Sequence, residues 1–175
     1  TTPGAKAPFG MIYLVPVNAH DPLHGHRWWE FTSGYQYDET TFAGVAHTAL
    51  SGAGIAGLLD VLVSPWATDV TMDKATEHAS PGYYAVVVDG TSIEVAAGRR
   101  FGIHRYTNWE GTLYWKGDCS IQALTSTSIH GTCTAKFNER WEKGMYPYAV
   151  HFYATTSVPC RVEARSIRCD GRAME

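Results

Sequence analysis

Short apolar and alternating stretches recur along the whole chain and are separated by glycine, proline and Asp-Gly. Close spacing of such stretches, with turn residues between them, is typical of an antiparallel β-sandwich. The pattern therefore predicts an all-β fold with long loops and one helical turn over residues 73–78. The predicted strands are residues 11–15, 58–63, 83–88, 91–96, 100–106, 112–115, 121–124, 133–137 and 149–154, followed by a final hairpin over 161–168.

The clearest hairpin lies between residues 83 and 96, where two β-rich stretches flank Asp89-Gly90. Asp-Gly in this position is a strong signal for a two-residue hairpin turn. The following stretch, residues 100–106, alternates in polarity. Because successive strand side chains point to opposite faces, we expect Ile103 and Tyr106 on opposite sides of the sheet.

Residues 31–65 combine an aromatic turn, adjacent acids, a histidine and a glycine run before an apolar segment. Small residues allow one backbone segment to approach another closely. We interpret this stretch as a loop layer laid across a β-sheet, with residues 58–63 as a buried strand. The layer would place hydrogen-bonding side chains on its surface, namely Tyr35, Tyr37, Asp38 and His47.

Length and composition predict one globular domain spanning residues 1–175. The chain has 175 residues and 45% hydrophobic content, which is enough for one buried core. Its formal charge is -3, and lysines and arginines are scattered singly, so we predict no nucleic-acid partner. No apolar run approaches the roughly 20 residues that a membrane helix needs, so no membrane span is predicted.

Four cysteines lie in the C-terminal third, and none of them forms a CxxC pair, which disfavours a zinc site. We interpret them as two local disulfides that each close a hairpin, with four buried free thiols as the alternative. Four cysteines allow three pairings, and the sequence does not choose between them. The proposed pairs are Cys119 with Cys133 and Cys160 with Cys169.

Disulfides indicate an oxidising, extracytoplasmic compartment. The N-terminal stretch TTPGAKAPFG has no initiator methionine, basic region or apolar region. It is therefore interpreted as a mature end left after removal of a signal peptide, and the protein is predicted to be secreted.

Several motifs in order resemble those of the N-terminal domain of glycoside hydrolase family 92, the exo-acting α-mannosidases. The main one is SGYQYDETTFAGVAHTALSGAG followed by LLDVLVSP, and the others are PFGMI, HASPGYYAV and RRFGIHRYT. The resemblance implies a large two-sheet sandwich that shapes part of a sugar pocket. It also implies that the catalytic acid, the catalytic base and the calcium site belong to a following α-helical domain. This chain departs from the family pattern at Ala49 and Ala53, where relatives commonly carry polar residues.

Aromatic residues make up 13% of the chain, and flat aromatic rings can stack on the C–H faces of sugars. Most aromatic side chains of a sandwich pack in its core, which is the alternative for each of them. The predicted carbohydrate-binding residues are Trp28, Trp29, Tyr35, Tyr37, Asp38 and His47.

Other chemistry is weakly indicated. The sequence GAGIAG at residues 52–57 matches GxGxxG, but the strand, helix and βαβ context of a dinucleotide site is missing. Histidines within residues 20–26 could bind zinc or copper, although a solvated loop is the favoured interpretation: they are His20, His24 and His26, beside Asp21. Adjacent Asp38 and Glu39 would point to opposite strand faces and make a poor catalytic pair. We therefore predict no catalytic residue, no metal and no cofactor.

These observations favour a non-catalytic secreted β-sandwich that self-assembles into an extracellular structure, binds glycans, or does both. Its expected partners are further copies of itself and a glycan ligand. The alternative is the N-terminal domain of a calcium-dependent exo-α-mannosidase that is inactive without its helical domain. A third hypothesis is a small metal-dependent enzyme that uses residues 20–26.

Overall fold

A computed structural model describes residues 2–18, 34–49, 61–135, 148–170 and 173–174. Within these ranges the protein is an all-β sandwich, and all pairings between its named strands are antiparallel. The described ranges contain no helix with the length and apolar character needed to cross a membrane. In chain order the strands are β1 (Ala5–Lys6), β2 (Tyr13–Val17), β3 (Thr41–Phe42), β4 (Gly44–Ala46), β5 (Leu62–Ser64), β6 (Val70–Thr71), β7 (His78–Ser80), β8 (Tyr83–Val88), β9 (Thr91–Ala97), β10 (Gly102–Thr107), β11 (Thr112–Lys116), β12 (Asp118–Thr125), β13 (Ser128–Ala135), β14 (Tyr148–Thr155), β15 (Cys160–Glu163), β16 (Ser166–Cys169) and β17 (Ala173–Met174).

The strands of the described ranges form four sheets. A seven-stranded sheet has the order β1-β2-β4-β5-β11-β16-β15, and a five-stranded sheet has the order β17-β10-β9-β8-β7. A three-stranded sheet runs β12-β13-β14, and β3 pairs with β6. The predicted helical turn is a 3₁₀ turn at Lys74–Thr76, capped by the Asp73 side chain, which accepts a bond from Ala75 N.

The predicted hairpin and alternation are both confirmed. Asp89 and Gly90 have φ angles of 46° and 75°, the left-handed conformations that a two-residue hairpin turn favours. On β10, Tyr106 is buried whereas Ile103 is 57% exposed. The inward row of the five-stranded sheet packs in one continuous core with inward residues of the seven-stranded sheet, including Leu14.

The predicted loop layer is wrong for part of the 31–65 stretch, because β4 lies between β2 and β5 inside the seven-stranded sheet. A Cβ atom at Gly44 would lie 2.6 Å from the carbonyl oxygen of Val63, so only glycine allows this approach between β4 and β5. The predicted buried strand is β5, which extends to Ser64, while residues 58–60 lie outside the described ranges.

The first predicted strand also extends further than expected, since β2 includes Pro16. Tyr13 N donates to His47 O, and Val17 O accepts from Ala43 N, so the odd-numbered backbone groups of β2 face β4. The nitrogen of Pro16 therefore points to the other side, where β1 pairs only with Tyr13 and Leu14. Proline removes no ladder hydrogen bond at this position.

Both proposed disulfides are confirmed. Cys119 and Cys133 are directly opposed across β12 and β13, and Cys160 and Cys169 are opposed across β15 and β16. Each bond joins neighbouring strands of one hairpin, so it holds the register of that hairpin. Cys133 is fully buried, whereas Cys160 is only partly buried.

We expect removal of either disulfide by paired alanine substitution to lower the free energy of unfolding by roughly 2 to 3 kcal/mol, because the unfolded chain regains loop entropy. The loss should be larger for C119A/C133A, which spans 14 residues and also opens a cavity in the core, than for C160A/C169A, which spans 9. Urea unfolding monitored by fluorescence measures both values. Equal or reversed losses would contradict this ranking.

Candidate functional site

Four of the six predicted carbohydrate-binding residues lie in one stretch, which we call the 34–49 segment. It begins with a turn at residues 34–38, continues through β3 and β4, and ends beyond His47. Trp28 and Trp29 lie outside the described residues, as do the GxGxxG motif and the histidines of residues 20–26. The segment is the part of the predicted site whose geometry is known.

Asn18 holds the first part of the 34–49 segment in place through hydrogen bonds. Its buried side-chain amide donates to Thr41 O at 2.7 Å, and its side-chain oxygen accepts from Gln36 N at 2.8 Å. The backbone N–H of Asn18 also donates to Gly34 O at 2.8 Å. This one residue therefore bonds the segment at Gly34, Gln36 and Thr41.

A partly buried carboxylate, that of Glu77, connects the same turn to the five-stranded sheet. Glu77 Oε2 accepts from the Tyr35 hydroxyl at 3.1 Å, and Glu77 Oε1 accepts from the Tyr84 hydroxyl at 2.7 Å. Lys74 Nζ lies 3.3 Å from Glu77 Oε2 and donates to the Tyr35 hydroxyl at 3.0 Å. The 3₁₀ turn supplies this geometry, because residues 74 and 77 lie on one side of it.

Burial and the neighbouring carboxylate shift the pKa values of the two tyrosines and of Lys74. Desolvation is the largest cause that raises the pKa of the Tyr35 hydroxyl and of the Tyr84 hydroxyl, and the charge of Glu77 and the hydrogen bonds to it raise both further. Both tyrosines therefore remain neutral hydrogen-bond donors. Desolvation lowers the pKa of Lys74, although the attraction of Glu77 acts in the opposite direction. The cluster is a hydrogen-bonded set of buried and partly buried polar groups.

The cluster divides the predicted residues into buried and accessible ones. Tyr35 is only 6% exposed, and Lys74 Nζ lies 4.1 Å from the centre of its ring. Tyr37 is 78% exposed, and Asp38 beside it is also exposed. Tyr37 and Asp38 thus form the accessible tip of the turn, while Tyr35 anchors it.

His47, at the other end of the segment, contacts His104 on β10. Their rings stack with centres 4.8 Å apart, and their Nε2 atoms lie 2.9 Å apart. His47 Nδ1 is 2.7 Å from the carbonyl oxygen of Val61, and His104 Nδ1 is 2.8 Å from the Tyr106 hydroxyl. The histidines join the seven-stranded sheet to the five-stranded one.

The carbonyl of Val61 can only accept, so His47 Nδ1 carries a proton. In the neutral pair, His47 Nε2 then accepts from His104 Nε2–H, and His104 Nδ1 accepts from the Tyr106 hydroxyl. Desolvation lowers the pKa of His47, and desolvation together with the neighbouring His47 lowers the pKa of His104 well below its ordinary value. The pair is therefore neutral near pH 7.

The Tyr84–Glu77 contact and the His104–His47 contact involve the same row of side chains in the five-stranded sheet. Tyr84 on β8 and His104 on β10 are each paired with Val95 on the intervening strand β9. Tyr84 donates to Glu77, which is itself hydrogen-bonded to the start of the 34–49 segment. His104 contacts the end of that segment at His47. The segment is therefore connected at two points to one row of cross-strand neighbours in the five-stranded sheet.

The accessible groups of the site are suited to binding a ligand. Within the described ranges, no cluster of three or more His, Cys, Asp or Glu residues is arranged to hold a metal ion. Glu77 is already hydrogen-bonded to two tyrosines and paired with Lys74. The exposed ring of Tyr37 and the exposed carboxylate of Asp38 remain available to a ligand.

Sequence reasoning missed Asn18, Lys74 and His104 as residues that position the site. In the sequence Asn18 follows an apolar stretch, and nothing local indicates partners 18 to 23 positions away. A usable signal existed for His104, because alternation placed it on the same face as Tyr106. Pairing with His47, 57 positions away, depends on tertiary structure.

Comparison with known proteins identifies relatives. A family model described as the glycosyl hydrolase family 92 N-terminal domain matches residues 1–166. A search of the curated proteins finds no match.

Solved structures share the fold at low sequence identity. The family GH92 alpha-mannosidase BT3965 from Bacteroides thetaiotaomicron superposes with a TM-score of 0.77 and 23% identity, over 100% of this chain and 30% of that protein. The GH92 family glycosyl hydrolase ccman5 superposes with a TM-score of 0.71 and 20% identity, over 98% of this chain and 28% of that protein. The inverting mannosidase BT2199 from Bacteroides thetaiotaomicron VPI-5482 superposes with a TM-score of 0.70 and 16% identity, over 98% of this chain and 27% of that protein. The chain spans less than a third of each of these proteins.

We expect the histidine pair to make stability depend on pH. Because its folded-state pKa values are lowered, the unfolded chain binds more protons below about pH 6.5, and stability should fall as the pH decreases from there. The limiting slope is about 1.4 kcal/mol per pH unit for each proton taken up. Urea unfolding between pH 7.5 and pH 5 measures it.

The matched variants for this test are His104→Gln, which removes one partly buried imidazole, and His151→Gln, which removes an exposed one on β14. His104→Gln should flatten the pH dependence, and His151→Gln should leave it unchanged. Equal slopes for wild type and both variants would contradict the assignment.

Proposed function

Because this chain belongs to the glycosyl hydrolase family 92 N-terminal domain family, we propose that it is a non-catalytic secreted β-sandwich that binds glycans through the tip of the 34–49 segment. The observation that carries the proposal is the exposed Tyr37 ring beside the exposed Asp38, on a turn held by buried polar groups. We treat residues 1–175 as one domain. The two disulfides support an oxidising compartment.

The chemistry of the tip suits an uncharged sugar. An aromatic ring offers a flat surface to sugar C–H groups, and a neighbouring carboxylate accepts hydrogen bonds from two hydroxyls. A turn that is already ordered costs little conformational entropy when a ligand binds. Tyr35 and His47 would position this surface, and Trp28 and Trp29 are proposed as further sugar contacts.

The relatives support one ligand class for this proposal. BT3965 and BT2199 are mannosidases, and the chain corresponds to less than a third of either protein. We therefore propose α-mannosides as the glycan class. A binding role fits the resemblance, which implies that the catalytic acid, the catalytic base and calcium belong to a following helical domain.

The alternative function is the N-terminal domain of a calcium-dependent exo-α-mannosidase, inactive without its helical domain. It is favoured by the superposition of this whole chain on BT3965. Self-association into an extracellular assembly is the second part of the proposal, and it is favoured by strand β14, an edge of the three-stranded sheet in the described part of the chain.

We expect the 175-residue chain to bind α-mannosides without hydrolysing them, and Tyr37→Ala to weaken that binding by about tenfold, equivalent to about 1.4 kcal/mol of lost ring contact. Titration calorimetry with methyl α-mannoside and with α-linked mannobiose measures the affinity. Asp38→Asn should weaken binding less, because an amide still offers one acceptor.

Tyr153→Ala is the matched control, since Tyr153 is similarly exposed at 64% but lies on β14. Release of mannose by the chain alone, in the presence of calcium, would contradict the non-catalytic assignment. Absence of binding to either sugar, or equal binding by wild type and Tyr37→Ala, would contradict the proposed surface.

A further inference from the structure

Strand β14 is an edge of the three-stranded sheet and differs from the other sheet edges in the described part of the chain. β1, β3, β6 and β17 have two residues each, and β7 has three. β15 has four residues, including Arg161 and Glu163. β12 is long, but it begins with Asp118 and has a register shift near Ala123. Shortness, charge and irregularity are the features by which proteins protect sheet edges from further pairing.

β14 has none of these protective features. It runs for eight residues, YAVHFYAT, without proline, lysine, arginine, aspartate or glutamate. All eight residues pair with β13 in a continuous register. A long, regular and uncharged edge is a template for another strand.

The hydrogen-bond pattern shows which backbone groups are open. Thr156 N donates to Thr127 O just beyond the paired strands, and residues two apart along a strand share the same hydrogen-bond direction. Even-numbered residues of β14 therefore bond to β13. The outward backbone groups belong to four residues whose side chains are all exposed: Ala149, His151, Tyr153 and Thr155.

The opposite face of β14 is also incompletely covered. Val150, Phe152 and Ala154 pack against the main core but remain only partly buried. The Phe152 ring stacks on Trp115 with ring centres 5.8 Å apart. A further strand beside β14 would extend this apolar face and remove more of its surface from water.

We propose that β14 pairs in antiparallel orientation with β14 of a second copy of this chain, joining two three-stranded sheets around a twofold axis. A register centred on Phe152 places the outward groups of His151 opposite Tyr153 of the other copy, and those of Ala149 opposite Thr155. Two identical strands without charged residues do not repel each other across such an axis. The interface deepens the self-association part of the proposed function and is separate from the glycan surface at Tyr37.

Tyr153→Pro tests backbone pairing directly. The Tyr153 N–H points away from β13, so proline removes an outward donor without removing a bond of the existing sheet. Tyr153→Ala removes the same side chain and keeps the N–H. Sedimentation equilibrium of the oxidised full chain, over a concentration series, should show a wild-type monomer–dimer equilibrium that Tyr153→Pro weakens about tenfold or more, while Tyr153→Ala changes it less.

A wild-type chain that stays monomeric up to millimolar concentration would overturn the proposal, and so would equal effects of the two variants or no effect of either. If Tyr153→Pro does not fold, amide exchange in the wild type decides. The Ala149, His151 and Tyr153 amides should become more protected as concentration rises, and unchanged exchange would overturn the proposal. Tyr37→Ala should dimerise like wild type, so failure of glycan binding and failure of this interface are distinguishable.

Discussion

Packing of the five-stranded sheet on the seven-stranded sheet is the constraint on which the other features depend. It covers one row of side chains, of which Tyr84 and Val95 are buried and His104 is partly buried. The two outer members of the row, Tyr84 and His104, carry polar groups. Polar groups withdrawn from water need partners: His104 finds one in His47 of the 34–49 segment, and Tyr84 finds one in Glu77, which also accepts from Tyr35 of that segment. The need to satisfy these groups therefore fixes where the exposed tip with Tyr37 is held.

Local patterns were sufficient for the hairpins. The stretches at residues 83–88 and 91–96 match β8 and β9 almost to the residue, because alternation and Asp-Gly act over a few positions. The cysteine pairs were found for the same reason, since each closes one hairpin. Strand β4 was missed because glycine and alanine carry little strand propensity. Its place in the sheet depends on the close approach of Gly44 to Val63, which local sequence does not reveal.

The candidate site could be predicted only in part. Pattern and resemblance drew attention to Tyr35, Tyr37, Asp38 and His47, and the structure places all four on one segment. Sequence could not separate the buried Tyr35 from the exposed Tyr37, because both flank the same turn and differ only in tertiary surroundings. Asn18 and Lys74 were missed for the same reason: their partners are separated from them by 18 to 39 positions.

The central claim is that buried polar contacts hold the 34–49 segment in place as firmly as a core strand. Native-state hydrogen exchange at the amides of Gln36, Ala43 and His47 tests it most directly, since these donate to Asn18 Oδ1, Val17 O and Val61 O. The structure predicts slow exchange at all three, comparable with amides of the central strand β9. Exchange at Gln36 and His47 as fast as in an unstructured peptide would contradict the claim.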